Sequence, residues 1–363
     1  MRNPIELALT FLYNRVLDLI LCNIHALQIG ENRGLLENYG FQMQQKYMPA
    51  LDRLFELQNP TIHSWLQPEF FNKPNLSNSN LGEKITQSVI VKKILSERDE
   101  SGRIPRHAYE KWSGAHWILS LLAELDYPTK DPVLLPLREQ ALDWIFSDEV
   151  RVKDTPKIKG LYRRHASQEG NLITYLIKLD LDDEQIHRLT DFLLEYQWPD
   201  GGWNCDKKKG AHTSSFVESI IPLRGLISYQ KKYQNSDVGV AIENACEFFL
   251  CRNLFRKLSD HSIINPHFIE LTFPHYHIYD ILIALMVMDE AGRINDPRCQ
   301  EALNLLEQKY IPGQGWSIEN TYEQHNPHQH RFSLVNWNQE KIGKANPFLS
   351  AQALIVLKHA GRL

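Results

Sequence analysis

Residues 195–204 read Glu195-Tyr196-Gln197-Trp198-Pro199-Asp200-Gly201-Gly202-Trp203-Asn204. A helical pattern over 184–197 must stop here, because Pro199 cannot continue it and Asp200-Gly201-Gly202 supplies a turn with positive backbone dihedrals. Gln197 falls in the last helical turn, where an amide can bond orphaned carbonyls. Trp203 brings the chain back, so that its indole can cap the apolar end of that helix. The stretch is a helix–helix corner. A degenerate copy follows at Gln308-Lys309-Tyr310-Ile311-Pro312-Gly313-Gln314-Gly315-Trp316, which makes the corner part of a repeat.

Outward from this corner, paired helical segments recur from Glu83 onward. The spacing predicts pairs at 83–97 with 109–125, 132–147 with 168–179, 184–197 with 213–230, 238–252 with 276–291, and 297–310 with 347–360. Asp131-Pro132 and Asp296-Pro297 place an acceptor before a proline at the first helical position, as a helix start requires. The second member of each pair is the more apolar. Ile281-Leu282-Ile283-Ala284-Leu285-Met286-Val287-Met288 has no polar face, so that helix is expected to be buried on all sides. Alternating exposed and buried helices imply two concentric layers. The predicted fold is all-α: an α/α toroid of about five helix pairs over 81–363, preceded by an N-terminal helical extension and linker over 1–80. Pro60, Pro68, Pro74 and the Asn/Ser run 75–80 are read as the connection.

The totals exclude some classes. A formal net charge of −4 gives no electrostatic reason to expect a nucleic-acid partner. Cys22, Cys205, Cys246, Cys251 and Cys299 are odd in number and without C-x-x-C spacing, which reads as reduced thiols in a cytoplasmic protein. Met1 to Gly30 is apolar, but Glu6, Arg15 and Asp18 interrupt it below the ~20 residues of a spanning helix. An amphipathic helix packed on the body is expected there, with peripheral membrane contact as the alternative.

With Gln197…Asp200-Gly201-Gly202-Trp203, the weaker Gln308…Gly315-Trp316 and the alternating pairs around them, the chain resembles the squalene–hopene cyclase and protein-prenyltransferase superfamily. The resemblance covers roughly Glu83 to the C-terminus. It implies a cavity that holds an isoprenoid or other long apolar substrate among aromatic side chains. In the cyclases an acid protonates the substrate and aromatic faces stabilise the carbocation. Asp180-Leu181-Asp182-Asp183 matches the D-x-D-D pattern of the cyclase proton donors, which nominates Asp182. A solvated helix cap is the alternative reading, and Glu184-Gln185 stand where the family has Thr-Ala.

The resemblance to prenyltransferases implies a zinc bound by Asp, Cys and His at inner-helix starts. Here Ala211 and Thr213 occupy the first two positions, and only His277 matches the third. The ligand set is incomplete, so no metal and no cofactor is assigned. A substitute cluster of Cys205, Asp206 and His212 with His277 has no motif behind its spacing.

Equivalent positions at the starts of the inner helices should converge at one mouth of a toroid. They nominate Trp112, His116, Trp117, Asn171, Ser215, Tyr276 and Tyr279 as substrate-binding, with Glu169 in the same ring. Asp280 or Glu218 in that apolar setting would have a raised pKa and could act as general acid. The basic loop Arg151 to His165 could bind a diphosphate, or simply be solvated. Three functions stay open: a cyclase-like enzyme, a toroid without chemistry that serves as a lipid-binding or interaction scaffold, and prenyl transfer with an atypical metal site.

Overall fold

The computed structural model describes residues 45–71, 78–147, 155–321, 333–337 and 343–363. Among them the secondary structure is helical, with short 3-10 turns at Pro132–Leu134, Pro266–Ile269 and Pro297–Cys299, apart from one hairpin of two-residue strands, Lys157–Ile158 (β1) with Leu161–Tyr162 (β2). Met1 to Gly30, Lys153, and the tract His325 to His330 lie outside the described residues.

The helices are α1 (Met48–Glu56), α2 (Pro60–Phe70), α3 (Asn78–Thr86), α4 (Val89–Leu95), α5 (Ala115–Glu124), α6 (Leu135–Ile145) and α7 (Ala166–Lys178). They continue with α8 (Gln185–Tyr196), α9 (Phe216–Tyr233), α10 (Ser236–Leu250), α11 (Ile281–Glu290), α12 (Gln300–Gln308) and α13 (Pro347–His359). Their starts are chemically marked. Ser88, Ser215, Asn235, Asp280 and Asn346 each accept a backbone N–H of the first turn, which satisfies donors that the helix itself leaves orphaned.

Burial sorts the helices into two kinds. In α8 only Ile186, Leu189, Thr190 and Leu193 are buried, one stripe at helical spacing. In α5 every residue from Ala115 to Ala123 is buried, and α11 and α13 are nearly as complete. The more deeply buried helices, with α7 and the first half of α9 among them, are neighbours in chain order: α5 packs on α7, α7 on α9, α9 on α11 and α11 on α13. The amphipathic helices lie against them, α6 on α5 and α7, α8 on α7 and α9, α10 on α9, and α12 on α11. Between α7 and α9 the approach is close because Gly170 and Gly225 face each other. A Cβ on Gly225 would lie 2.6 Å from the Gly170 carbonyl oxygen.

Both corners are built alike. The Trp203 indole N–H donates to Leu193 O at 2.9 Å, and the Trp316 indole to Leu306 O. The Trp203 amide donates to Ser219 Oγ (2.9 Å) and the Trp316 amide to Ser350 Oγ (2.8 Å). Gly202 and Gly315 admit those hydroxyls, since a Cβ at either would sit 2.4 or 2.3 Å from the serine oxygen. Gln197 reaches past its own helix, donating to Gly201 O and to Ala241 O of α10. The degenerate copy in the sequence is thus the same construction in space.

Two expectations change. The predicted helix over 83–97 is broken into α3 and α4, because Ser88 caps a new start at Val89. The proline-rich stretch after residue 59 contains a helix, α2, rather than a connection. Asn59 accepts from Thr61 N and Ile62 N, and Pro60 sits where a missing N–H costs nothing. α2 ties both ends of the chain of buried helices together. Thr61 Oγ donates to Leu125 O at the end of α5, and Glu69 is bonded to Lys358 and His359 at the end of α13.

Candidate functional site

At the start of α5, Trp112, His116 and Trp117 converge with Tyr276 and His277 from the loop before α11. The Trp112 and Tyr276 rings stack with centroids 4.3 Å apart, and Trp117 meets Trp112 edge-on at 4.7 Å. Tyr109 extends the group toward Trp144. His116 is fully buried, which depresses its pKa to about 3 and keeps the ring neutral. Its nitrogens lie 3.3 Å from Asn171 Nδ2 and from the Tyr175 hydroxyl. His277 stands 3.2 Å from Lys111 Nζ.

Beneath this aromatic layer lies a cavity to which α5, α7, α9, α11 and α13 all contribute, through Ser120, Asn171, Ile220, Val287 and Gln352 among others. The loop residues Phe273 to Tyr276 and Trp337 complete its wall. The centres of water-sized spheres can range over about 40 Å³ within it, so the space holds several water molecules. From the middle of α9, Arg224 bonds Glu124 at the C-terminal end of α5 (2.6 Å) and Glu290 at that of α11 (2.7 Å). Burial alone would raise the Glu124 pKa, but Arg224 and Lys178 outweigh it and hold the carboxyl at about 2.

Three polar side chains on the cavity wall have atoms without a hydrogen-bond partner among the described residues. They are Trp337 Nε1, Gln352 Oε1 and both nitrogens of His275. Trp337 is 1% exposed and Gln352 6%. A buried group left in that state costs about 1–3 kcal/mol; His275 Nδ1 has the Asp280 carboxylate 3.7 Å away.

A second cluster forms at the starts of α7 and α9. His165, Cys205 and Glu218 place one nitrogen, the sulfur and one carboxylate oxygen within 4.8 Å of one another. His165 Nδ1 is 3.4 Å from Glu218 Oε1, and Cys205 Sγ is 3.6 Å from the same oxygen. The Cys205 sulfur and then the Glu218 carboxylate raise the His165 imidazole to about 10. Burial would raise Glu218, yet its bonds from His165 and the Ser167 amide bring it below the usual carboxylate range. Beside them Glu169 is fully buried. Desolvation raises its pKa against the opposing charge of Arg164, whose Nε donates to Glu169 Oε1 at 2.7 Å.

The other nominated residues sit in structural roles. Asp280 caps α11 through Leu282 N and Ile283 N and accepts the Thr272 amide and hydroxyl, so both oxygens are occupied. Asp182 is bonded to Lys232 Nζ (2.8 Å) and the Tyr233 hydroxyl, while Asp180 pairs with Lys130 and Lys232. Ser215 caps α9. Tyr279 packs among Phe216, Phe249 and Phe268 and donates to Leu254 O. Cys205 meets His165 and Glu218 rather than His277. In the basic loop, Arg163 Nη2 donates to Ala211 O and its guanidinium stacks on Trp198.

The sequence offered a signal for part of what it did not assemble. His165 immediately precedes α7 and Cys205 follows the corner tryptophan by two residues, both positions at helix mouths. Arg224, Trp337 and Gln352 carry no local signal. Searches against protein-family models, curated proteins and solved structures return no match to this chain.

Proposed function

We propose that the chain is an α/α toroid of the terpenoid cyclase and prenyltransferase kind. Its inner ring is α5, α7, α9, α11 and α13, and α2 seals the junction between the last of these and the first. The neighbour order of those helices, their deeper burial and the matched corners at Trp203 and Trp316 support this reading. On it, the former N-terminal extension is part of the ring's closure.

The function proposed is binding of a compact ligand, with a branched apolar body and one polar end, in the lumen. The observation that carries it is the set of buried polar atoms on Trp337 and Gln352, with His275 beside them, on a mostly apolar cavity wall. Waters can serve these groups in the empty protein, and a ligand's polar end replaces them. A space of that size suits an isoprene-sized group better than an extended polyprenyl chain. Acid-initiated cyclisation receives no support from Asp182, Asp280 or the cavity's Glu124. Asp182 and Asp280 are fully engaged, and Glu124 is held ionised by Arg224.

Mass spectrometry of solvent extracts from purified protein tests the proposal. A short branched alcohol, acid or phosphate ester is expected from the wild type and not from Gln352→Leu or Trp337→Phe. Extracts identical in all three proteins, or empty from a folded wild type, would reject a lumenal ligand.

A further inference from the structure

We propose that His165, Cys205 and Glu218 form a zinc site with one open coordination position. Zinc bonds of about 2.05 Å to nitrogen, 2.1 Å to oxygen and 2.3 Å to sulfur at tetrahedral angles require ligand–ligand distances of about 3.4 Å for N···O and 3.6 Å for S···O. The corresponding separations here are 3.4 and 3.6 Å. As a hydrogen bond the N···O distance is long, since such bonds run about 2.7–3.2 Å. As an edge of a coordination tetrahedron it fits.

The supports around the three ligands hold them in place. Glu218 Oε2 accepts the Ser167 amide at 3.0 Å, which fixes the carboxylate and leaves Oε1 for the metal. The loops carrying the other two ligands are stitched together one residue away from each, Arg164 N to Asn204 O at 3.2 Å. The donor set of one thiolate, one imidazole and one carboxylate suits zinc rather than magnesium or calcium. A thiolate and a carboxylate also neutralise the dication. His165 is 59% exposed while Glu218 is buried, so the fourth position faces solvent and takes water or an oxygen or sulfur donor of a substrate. Three protein ligands with an open position describe a reactive rather than a purely structural centre.

The set differs from the one the family resemblance implied, which needed an aspartate and a cysteine at the positions held here by Ala211 and Thr213 together with His277, and it stands whether or not the lumen binds a ligand. The test uses the full chain, freed of metal and titrated with zinc and then cobalt(II). One equivalent of zinc should survive gel filtration, and cobalt should give a thiolate charge-transfer band with tetrahedral visible absorption. Cys205→Ser, His165→Ala and Glu218→Gln should each weaken binding by roughly a hundredfold or more and abolish or shift the band. Changing Cys251, an exposed thiol elsewhere, or the histidines of 325–330 should leave both unchanged. Circular dichroism checks that each variant is folded. Absence of a thiolate band in the folded wild type would overturn the proposal, as would zinc retained by Cys205→Ser or lost with the 325–330 histidines.

Discussion

Replacing Arg224 with methionine removes the guanidinium that joins Glu124 of α5 to Glu290 of α11, while Lys178 remains 3.4 Å from Glu124. The side chains are 12% (Arg224) and 26% (each glutamate) exposed, so two carboxylates would be left largely out of water without a guanidinium. Glu124 sits at about 2 instead of its ordinary 4.5, held there against burial by Arg224 first and Lys178 next, and that difference, worth about 3 kcal/mol at neutral pH, is an upper bound on what Glu124 loses with Arg224. Breaking a buried pair by deleting one partner costs about 3–5 kcal/mol, so the two routes agree. With a urea m-value of about 3 kcal/mol/M, the midpoint for Arg224→Met should fall by about 1 M. The sign with pH follows from the carboxylate. Wild-type Glu124 stabilises above its unfolded pKa and loses that contribution as pH falls toward 2, whereas the variant gains as the carboxyls deprived of the guanidinium protonate. The gap between the two proteins should therefore narrow in acid. Adding Glu124→Gln and Glu290→Gln to Arg224→Met should restore most of the loss. A midpoint change below about 0.2 M, or a triple variant no better than the single one, would refute the reasoning.

Further outcomes follow from the same geometry. Gly201→Ala should destabilise by more than about 2 kcal/mol, because φ there is +96° and a Cβ would lie 2.1 Å from Asn244 O; a urea midpoint unchanged from wild type would contradict this. The Glu69–His359–Asp289 contacts that join α2, α13 and α11 should make stability pH-dependent at both ends. His359 is raised to about 9 by its bonds to Asp289 and Glu69, so its contribution is full below 6.5 and fades as pH rises through 9. Glu69 is lowered to about 2 by its bond to His359 first and Lys358 next, so its contribution is full above 4.5 and fades in acid. Thermal midpoints should be highest between those limits, and Glu69→Gln should flatten the profile. Asp280→Ala should lower stability by about 2 kcal/mol or more through the lost cap, and Asp280→Asn should recover part of it. An Asp280→Ala protein as stable as the wild type would disprove the capping role.

The corner at 195–204 was legible because its residues act locally: Pro199 ends a helix, and Gly201 takes a conformation that other residues resist. The buried helices were legible for a similar reason, since an unbroken apolar run such as 281–288 admits no exposed face. α2 was misread because prolines were taken as breakers, whereas Pro60 follows the Asn59 cap and occupies the first helical position. Convergence at the helix mouths was partly foreseen. Trp112, His116, Trp117, Asn171 and Tyr276 do meet, but Tyr279 points out toward Phe249 and Ser215 turns back onto its own helix. Direction of a side chain at a helix start depends on the preceding loop, which periodicity does not encode. The same limit hid His165, Cys205 and Glu218, brought together by a loop-to-loop bond between Arg164 and Asn204. Trp337 and Gln352 reach the cavity from separate segments with no motif to mark them.

The lumen's size and polarity are tested most directly by thermal unfolding in a chain-length series of isopentenol, geraniol and farnesol. The wild type should be stabilised by isopentenol, by about 2.7 kcal/mol at a hundred times its dissociation constant, and hardly at all by farnesol. Gln352→Leu should lose the response. Stabilisation that grows with chain length, or a Gln352→Leu response equal to the wild type's, would contradict the account.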